Sequence, residues 1–230
     1  MLRLLVGLLS LMLALGGLSL AAEIEVHPGE LIYGALLDAQ PGDVVIVHCG
    51  QYRENNMLFP EGVTLRSHSG DPDCVSIISD GQFPIFYYNG VTSASQIQGV
   101  TFTCEPAAGD GPARAGGAVH LLSSAMQFAN CRFENLVADY GGAVYCSDGA
   151  QPTFTDCVFR GNHARAVGGA IACVNNSQPT LVNCLVVENS AGAIGGAFNL
   201  ARDSQIILER TTVAANEVGA GPATSLWDGS

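Results

Sequence analysis

A 27-residue period running from Cys131 to Asn216 constrains the fold of this chain more than any other feature. It relates Cys157 to Cys184, Asn162 to Asn189 and Asn216, Gly168 to Gly195, and a second cysteine pair, Cys146 and Cys173. Self-similarity at a fixed period of about 20–50 residues marks units that cannot bury their apolar faces alone and must stack. The chain is therefore expected to form a solenoid.

Each copy holds short runs of strand composition, such as Pro152-Thr153-Phe154-Thr155, Cys157-Val158-Phe159 and Ala170-Ile171-Ala172-Cys173, separated by Asn, Gly and Ser turns. None of the segments between them keeps a helical period for ten residues. Three short strands per turn and no closing helix predict a right-handed parallel β-helix, in which each residue lies about 4.8 Å above its equivalent one turn earlier. Like residues then stack. A column of Asn162, Asn189 and Asn216 can pass amide hydrogen bonds from turn to turn. Paired glycines suit tight corners, and the columns Cys131, Cys157, Cys184 and Cys146, Cys173 suit a narrow apolar interior.

Phe159-x-x-Asn162 followed by Gly168-Gly169-Ala170-Ile171 resembles the paired Phe-x-x-Asn and Gly-Gly-Ala-(Ile/Leu/Val) motifs of chlamydial polymorphic outer-membrane protein repeats. More broadly the chain is similar to pectin-lyase-like β-helix repeat proteins exported by many bacteria. The resemblance extends over roughly residues 30–216. Gly116-Gly117-Ala118-Val119 and Gly141-Gly142-Ala143-Val144 match the second motif, whereas Leu136 replaces the Asn of one copy and Val186 and Val213 replace the Phe of two others. It implies a cell-surface or secreted, adhesin-like or structural module of the outer-membrane kind. Gly50-x-Tyr52-x-Glu54 also resembles a turn near the start of many pectin-lyase-like proteins. Its expected role is structural.

The rest of the chain divides readily. Residues 1–22 read as a signal peptide, with Arg3, an apolar centre and Ser19-Leu20-Ala21-Ala22 at its end, so the protein is expected to be exported. An uncleaved anchor is the alternative, since about 20 apolar residues can span a bilayer. Within residues 23–42, Leu31, Ile32, Ala35, Leu36 and Ala39 fall at helical spacing and predict a helix that caps the open N-terminal end of the coil. Residues 43–216 carry the repeats, starting with a first buried strand at Asp43–Val47. Residues 217–230 read as a Gly/Ala-rich tail, or, on a third and purely structural reading, as a truncated end that makes the chain the first part of a longer one with further domains.

The net charge is −12 and all nine basic residues are arginines, which argues against nucleic acid as a partner. With no lysine, Schiff-base chemistry and a Walker-type phosphate loop are excluded. Eight cysteines in an exported chain raise disulfides, and Cys49 with Cys74 is the expected pair. No metal site is expected, because His27, His48, His68, His120 and His163 are scattered; only stacking between turns could gather them.

Catalytic residues are not expected either. The Asn-Thr-Asp, Asp-Asp, Gly-His-Gly and Arg-Ile-Lys runs of polygalacturonases and the Gly-Asp-x-Asp-Phe of methylesterases are all missing. Asp139, Asp148, Asp156, Arg160 and Arg165 remain as scattered acids and bases, and Asp156 shares its repeat position with Asn130 and Asn183. Ligand contacts are sought in the aromatic cluster Phe86, Tyr87 and Tyr88, whose rings either fill the core or stack on sugar, and in a loop at 105–115 carrying Asp110 and Arg114. The functional expectation is a non-catalytic module binding polysaccharide or cell-surface glycan. The alternative is a polysaccharide lyase or hydrolase, with calcium as the one cofactor that reading brings in.

Overall fold

The computed structural model describes residues 21–105 and 115–219 and the strand Thr224–Trp227. It is a parallel β-helix: every strand pairing is parallel, and the pairings join each strand to its counterpart one turn away. Sheet 1 has eight strands, from Glu23–Val26 to Ile207–Glu209; sheet 2 has seven, from Gly50–Arg53 to Thr212–Ala214; sheet 3 has seven, from Met57–Leu58 to Thr224–Trp227. Where three strands per turn were expected, the later turns carry a fourth. Sheet 4 consists of Val137–Tyr140, His163–Val167, Ser190–Ala191 and Glu217–Val218, inserted between sheets 2 and 3. These segments lack the apolar alternation of the other strands, so the sequence reads them as turn.

Four corners explain the period. Between sheets 1 and 2 the chain bends at Asn130, Asp156, Asn183 and Arg210; between sheets 2 and 4 at Asn135, Gly161, Glu188 and Ala215; before sheet 3 at Gly116, Gly141, Gly168 and Gly195; and after it at Asp148, Asn175 and Arg202. All have positive φ, a conformation that Gly, Asn and Asp adopt at least cost. The second glycine of each Gly-Gly pair answers a different demand. A Cβ on Gly142 would lie 2.1 Å from the carbonyl oxygen of Gly169, and one on Gly169 would lie 2.0 Å from that of Gly196. Only glycine permits successive turns to approach so closely there.

Inside, equivalent side chains stack as the repeat requires. Phe133 and Phe159 lie 4.7 Å apart between ring centres, and Phe128 and Phe154 4.9 Å apart. Phe86 and Tyr88 are fully buried in this core beside Phe59 and Phe102, so neither ring can stack on a sugar. Phe86 and Tyr88 are thus corrected from ligand contacts to packing residues. Cys131, Cys157 and Cys184 are free thiols, each donating to the carbonyl two residues earlier. In the next turn the Thr211 hydroxyl makes the same contact, with the Glu209 carbonyl. Cys146 and Cys173 are buried and free in sheet 3, and burial pushes the Cys157 and Cys173 thiols well above the usual range.

The asparagine column joins three turns. Asn162 donates from Nδ2 to the Phe133 carbonyl at 2.9 Å and to Oδ1 of Asn189 at 2.8 Å; Asn189 repeats this with the Phe159 carbonyl and Asn216. Backbone amides of Asn162 and Asn189 donate to the next Oδ1 in the column. The column stops at Leu136, which offers only its amide to Asn162.

The N-terminal end differs from expectation in one respect. A strand, Glu23–Val26, precedes the helix and pairs with Val44–Val47, so the strand at Asp43–Val47 is the second of its sheet. Strand Glu23–Val26 was missed because four alternating residues directly after a long apolar run give little signal. The helix is Ile32–Asp38, with Ile32 and Leu36 buried in the common core. No side chain on the helix caps its first turn. Instead both Glu54 oxygens accept from the amides of Ile32 and Tyr33, while the Tyr52 hydroxyl donates to the His48 carbonyl at 2.8 Å. The Gly50-x-Tyr52-x-Glu54 turn therefore pins the helix to the coil. Cys49 and Cys74, one step before the Gly50–Val75 pairing, are disulfide-bonded. At the other end, strands Glu217–Val218 and Thr224–Trp227 extend the coil beyond residue 216, into what the sequence suggested was a tail.

Asn189→Ala would leave the Asn162 amide without its acceptor inside the coil, at about 1–3 kcal/mol, and would take one hydrogen bond, worth about 1 kcal/mol, from the Phe159 carbonyl. The expected urea midpoint falls accordingly, by the equivalent of roughly 2–4 kcal/mol at unchanged slope. Asn183→Gly, at an exposed corner whose positive φ glycine adopts freely, should cost under about 1 kcal/mol. Equal losses in the two variants would contradict the ladder's role.

Candidate functional site

The side chains on the outer face of sheet 3 are set by strand alternation. In Val119–Leu122, Val119 and Leu121 point inward and are buried, leaving His120 outside; in Val144–Ser147, Val144 and Cys146 point inward, leaving Tyr145 outside. Parallel register then places Tyr87, His120, Tyr145, Ala172 and Asn199 in one column. The column changes from large rings to the small Ala172. The step in size opens a groove of about 820 Å³, within the usual range for small-molecule sites of roughly 300–1,000 Å³.

Its walls come from the neighbouring corners. On one side stand Tyr140, Val167 and Ile194, themselves in register. On the other, the positive-φ column Asp148, Asn175 and Arg202 forms a polar chain: Asn175 Nδ2 donates to Asp148 at 2.7 Å, and Arg202 Nη1 donates to Asn175 Oδ1 at 3.3 Å. The groove thus offers aromatic and aliphatic surface on its floor and one wall, with an acid, an amide and a guanidinium along the other.

The ring of His120 sits edge-on between those of Tyr87 and Tyr145, with ring centres 5.0 Å from each. Burial disfavours the charged imidazolium and holds His120 below the ordinary histidine value, with the Asp148 carboxylate pulling partly the other way. Burial also pushes the Tyr145 phenol up, aided by Asp148. Near pH 7 the floor therefore presents a neutral, half-buried His120 imidazole beside the protonated Tyr145 phenol.

Among the sequence-selected residues, Tyr87 alone of the aromatic cluster reaches this groove, and Asp148 stands on its rim. Asp110 and Arg114 lie outside the described residues. Asp139 pairs with Arg165 at 3.0 Å and Arg160 approaches Glu188 at 3.9 Å, both away from the groove. Asp156 accepts from Asn183 in the corner column, in keeping with its repeat position. His120, Tyr140, Tyr145 and Arg202 were not singled out from sequence. A signal existed: His120, Tyr145, Ala172 and Asn199 are each the residue directly after a Gly-Gly-Ala-x motif. The histidines also differ from expectation, since His27, His48 and His68 are brought into one stack.

Parallel stacked turns, four columns of left-handed corners and an outer-face groove define a right-handed parallel β-helix. The chain belongs to the right-handed β-helix family, whose right-handed β-helix region matches residues 61–223. Two solved structures are similar in fold: a PL6 family alginate lyase, AlyGC, and a point variant of the same lyase. Both are 12% identical, with TM-scores of 0.44 and 0.43, over 86% of this chain and 40% of theirs. The chain thus spans about 40% of the length of those lyases. No curated protein matches the sequence.

The lowered His120 value has a consequence for stability. A folded-state value below the unfolded one means that the unfolded chain takes up this proton first, so the contribution is present above about pH 6.5 and is lost as pH falls through the folded value. An NMR titration should place the His120 midpoint below about 6.5. Asp148→Asn removes the carboxylate that favours the imidazolium, and the midpoint should move further down. An upward movement in that variant would refute the assigned causes.

Proposed function

We propose that this protein is an exported, non-catalytic β-helix module that binds a glycan in the groove on sheet 3. The observation that supports this reading best is the in-register floor of Tyr87, His120 and Tyr145 facing the polar chain of Asp148, Asn175 and Arg202. Sugars present apolar C–H faces and a rim of hydroxyls. An aromatic floor takes the faces, and an acid, an amide and a guanidinium supply both acceptors and donors for the hydroxyls. Column spacing of about 4.8 Å repeats these contacts along the coil axis, as an extended chain of sugars needs and a compact ligand does not. The overall charge of −12 favours a neutral glycan over a polyuronate.

A second reading, a polysaccharide lyase, draws on one observation: a neutral imidazole beside a protonated phenol. In that chemistry His120 would take the proton α to a uronate carboxylate, and Tyr145, one turn along the column, would protonate the departing glycosidic oxygen. Calcium belongs to this reading alone, as a bridge between polyuronate and an acidic surface.

One experiment separates the two. Neutral and acidic polysaccharides, with and without calcium, are scored for retention by the protein and for chain cleavage. Retention without cleavage is expected, and Tyr145→Ala should weaken it by about fivefold or more, since losing a ring contact costs roughly 1 kcal/mol or more. Release of unsaturated uronate ends, abolished by His120→Gln, would establish the lyase reading instead. Absence of retention for every member, or retention indifferent to Tyr145→Ala, would remove the groove from consideration.

A further inference from the structure

Away from the groove, the first turns of the coil bring together side chains that are distant in sequence. His27, His48 and His68 each follow the last residue of a sheet 1 strand, and Val26, Val47 and Ser67 are in register. The three imidazoles consequently stack, with ring centres 4.1 Å apart for His27 and His48 and 4.5 Å for His48 and His68. Glu25, two residues before His27, reaches across and hydrogen-bonds Nε2 of His48. Ligand atoms of Glu25, His27 and His48 all lie within 4.8 Å of one another.

We propose that Glu25, His27 and His48 form a binding site for a divalent transition metal, with Zn²⁺ the fitting ion. Two imidazole nitrogens and one carboxylate oxygen constitute a donor set that Zn²⁺ accepts, leaving one tetrahedral position for water. Softer ligands are absent from the cluster and oxygen donors are too few for Ca²⁺ or Mg²⁺. The ion would take the place of the Glu25–His48 hydrogen bond.

The backbone holds these ligands in place. The His48 amide donates to the Val26 carbonyl at 2.9 Å, the His27 amide donates to a Glu30 carboxylate oxygen at 2.7 Å, and the Glu30 amide returns a bond to the His27 carbonyl at 3.0 Å. The Tyr52 hydroxyl fixes the His48 carbonyl, and the Cys49–Cys74 disulfide follows at once. Only side-chain rotation is left for the metal to impose, turning two parallel rings until both nitrogens face one point. His27 and Glu25 are exposed and His48 half-buried, so the ion can enter from solvent. His68 packs against the far face of His48 and is a positioning residue.

Bound metal would join the first strand to the second at the exposed beginning of sheet 1. This gives the proposal a readout independent of any glycan. Zn²⁺ is titrated calorimetrically into tag-free protein freed of metal with chelator, alongside thermal melts with and without Zn²⁺. One saturable site is expected, together with a Zn²⁺-dependent rise in Tm. His27→Gln and His48→Gln should each weaken binding at least about tenfold and abolish the rise in Tm; Glu25→Gln should weaken it by about tenfold or more. His163→Gln, far along the coil, should change neither, and His68→Gln should stay within about threefold. His27→Gln, at an exposed ring outside the core, is the variant to judge by if His48→Gln folds poorly. No saturable site, or one untouched by His27→Gln and Glu25→Gln, would overturn the proposal, as would a site that depends on His68 but not on His27.

Discussion

Backbone hydrogen bonding between turns about 4.8 Å apart imposes one condition on everything else in this coil. Each residue must tolerate its equivalent directly above and below. Where the chain bends, the condition selects Gly, Asn or Asp at most places, and where turns approach closest it excludes any Cβ, as at Gly142 and Gly169. Inside, it rewards flat rings and small thiols that repeat without gaps. Even the interior amides obey it, since Asn162, Asn189 and Asn216 each satisfy a neighbour that would otherwise be a buried, unpaired polar group.

This condition also explains what could be read from the chain and what could not. The corners and the interior columns were legible because a single error in them costs stability, so the same residue types return every 27 residues. Sheet 4 was not legible: its strands are two to five residues long and mix Ala, Arg, His and Ser, so they carry neither alternation nor strong strand preference. The groove escaped notice for another reason. Tyr87 and His120 lie 33 residues apart and His120 and Tyr145 25 apart, so the column leaves the 27-residue register. The inward partners of the same strands gave the position away, but only to a reading that followed the residue after each Gly-Gly-Ala-x motif. For Phe86 and Tyr88 the sequence leaves core and surface both open, and their burial decides for the core.

Outer-face positions meet a weaker form of the same demand. They need only avoid clashes with their column neighbours, so their chemistry can vary from turn to turn, as Tyr87, His120, Tyr145, Ala172 and Asn199 do. Variation within one column is what makes a binding surface, because a ladder of identical side chains offers a ligand no reason to prefer one turn. The abrupt change from Tyr145 to Ala172 supplies the recess, and the Asp148–Asn175–Arg202 chain shows opposite charges placed two turns apart with an amide between them. Such spacing keeps both charges hydrogen-bonded without merging them into a single closed pair. Their remaining donors and acceptors stay directed toward the groove.

Against that background the column of His27, His48 and His68 is the anomaly. Stacked groups of one type are favourable when apolar or when they pass hydrogen bonds along, and unfavourable when each can acquire a positive charge. Three imidazoles in succession gain from face-to-face contact only while neutral, and the Glu25 carboxylate hydrogen-bonds the middle ring. A divalent ion held by ring nitrogens of His27 and His48 gives the column a use, since it takes the imidazoles neutral and the carboxylate charged. Sequence distance conceals the arrangement. The histidines are 21 and 20 residues apart, off the later 27-residue repeat, and the helix Ile32–Asp38 stands between the first two strands in place of sheets 2 and 3. Parallel register alone brings them into line, and the same register that stacks Phe133 on Phe159 in the core assembles a ligand set at the edge without a dedicated loop.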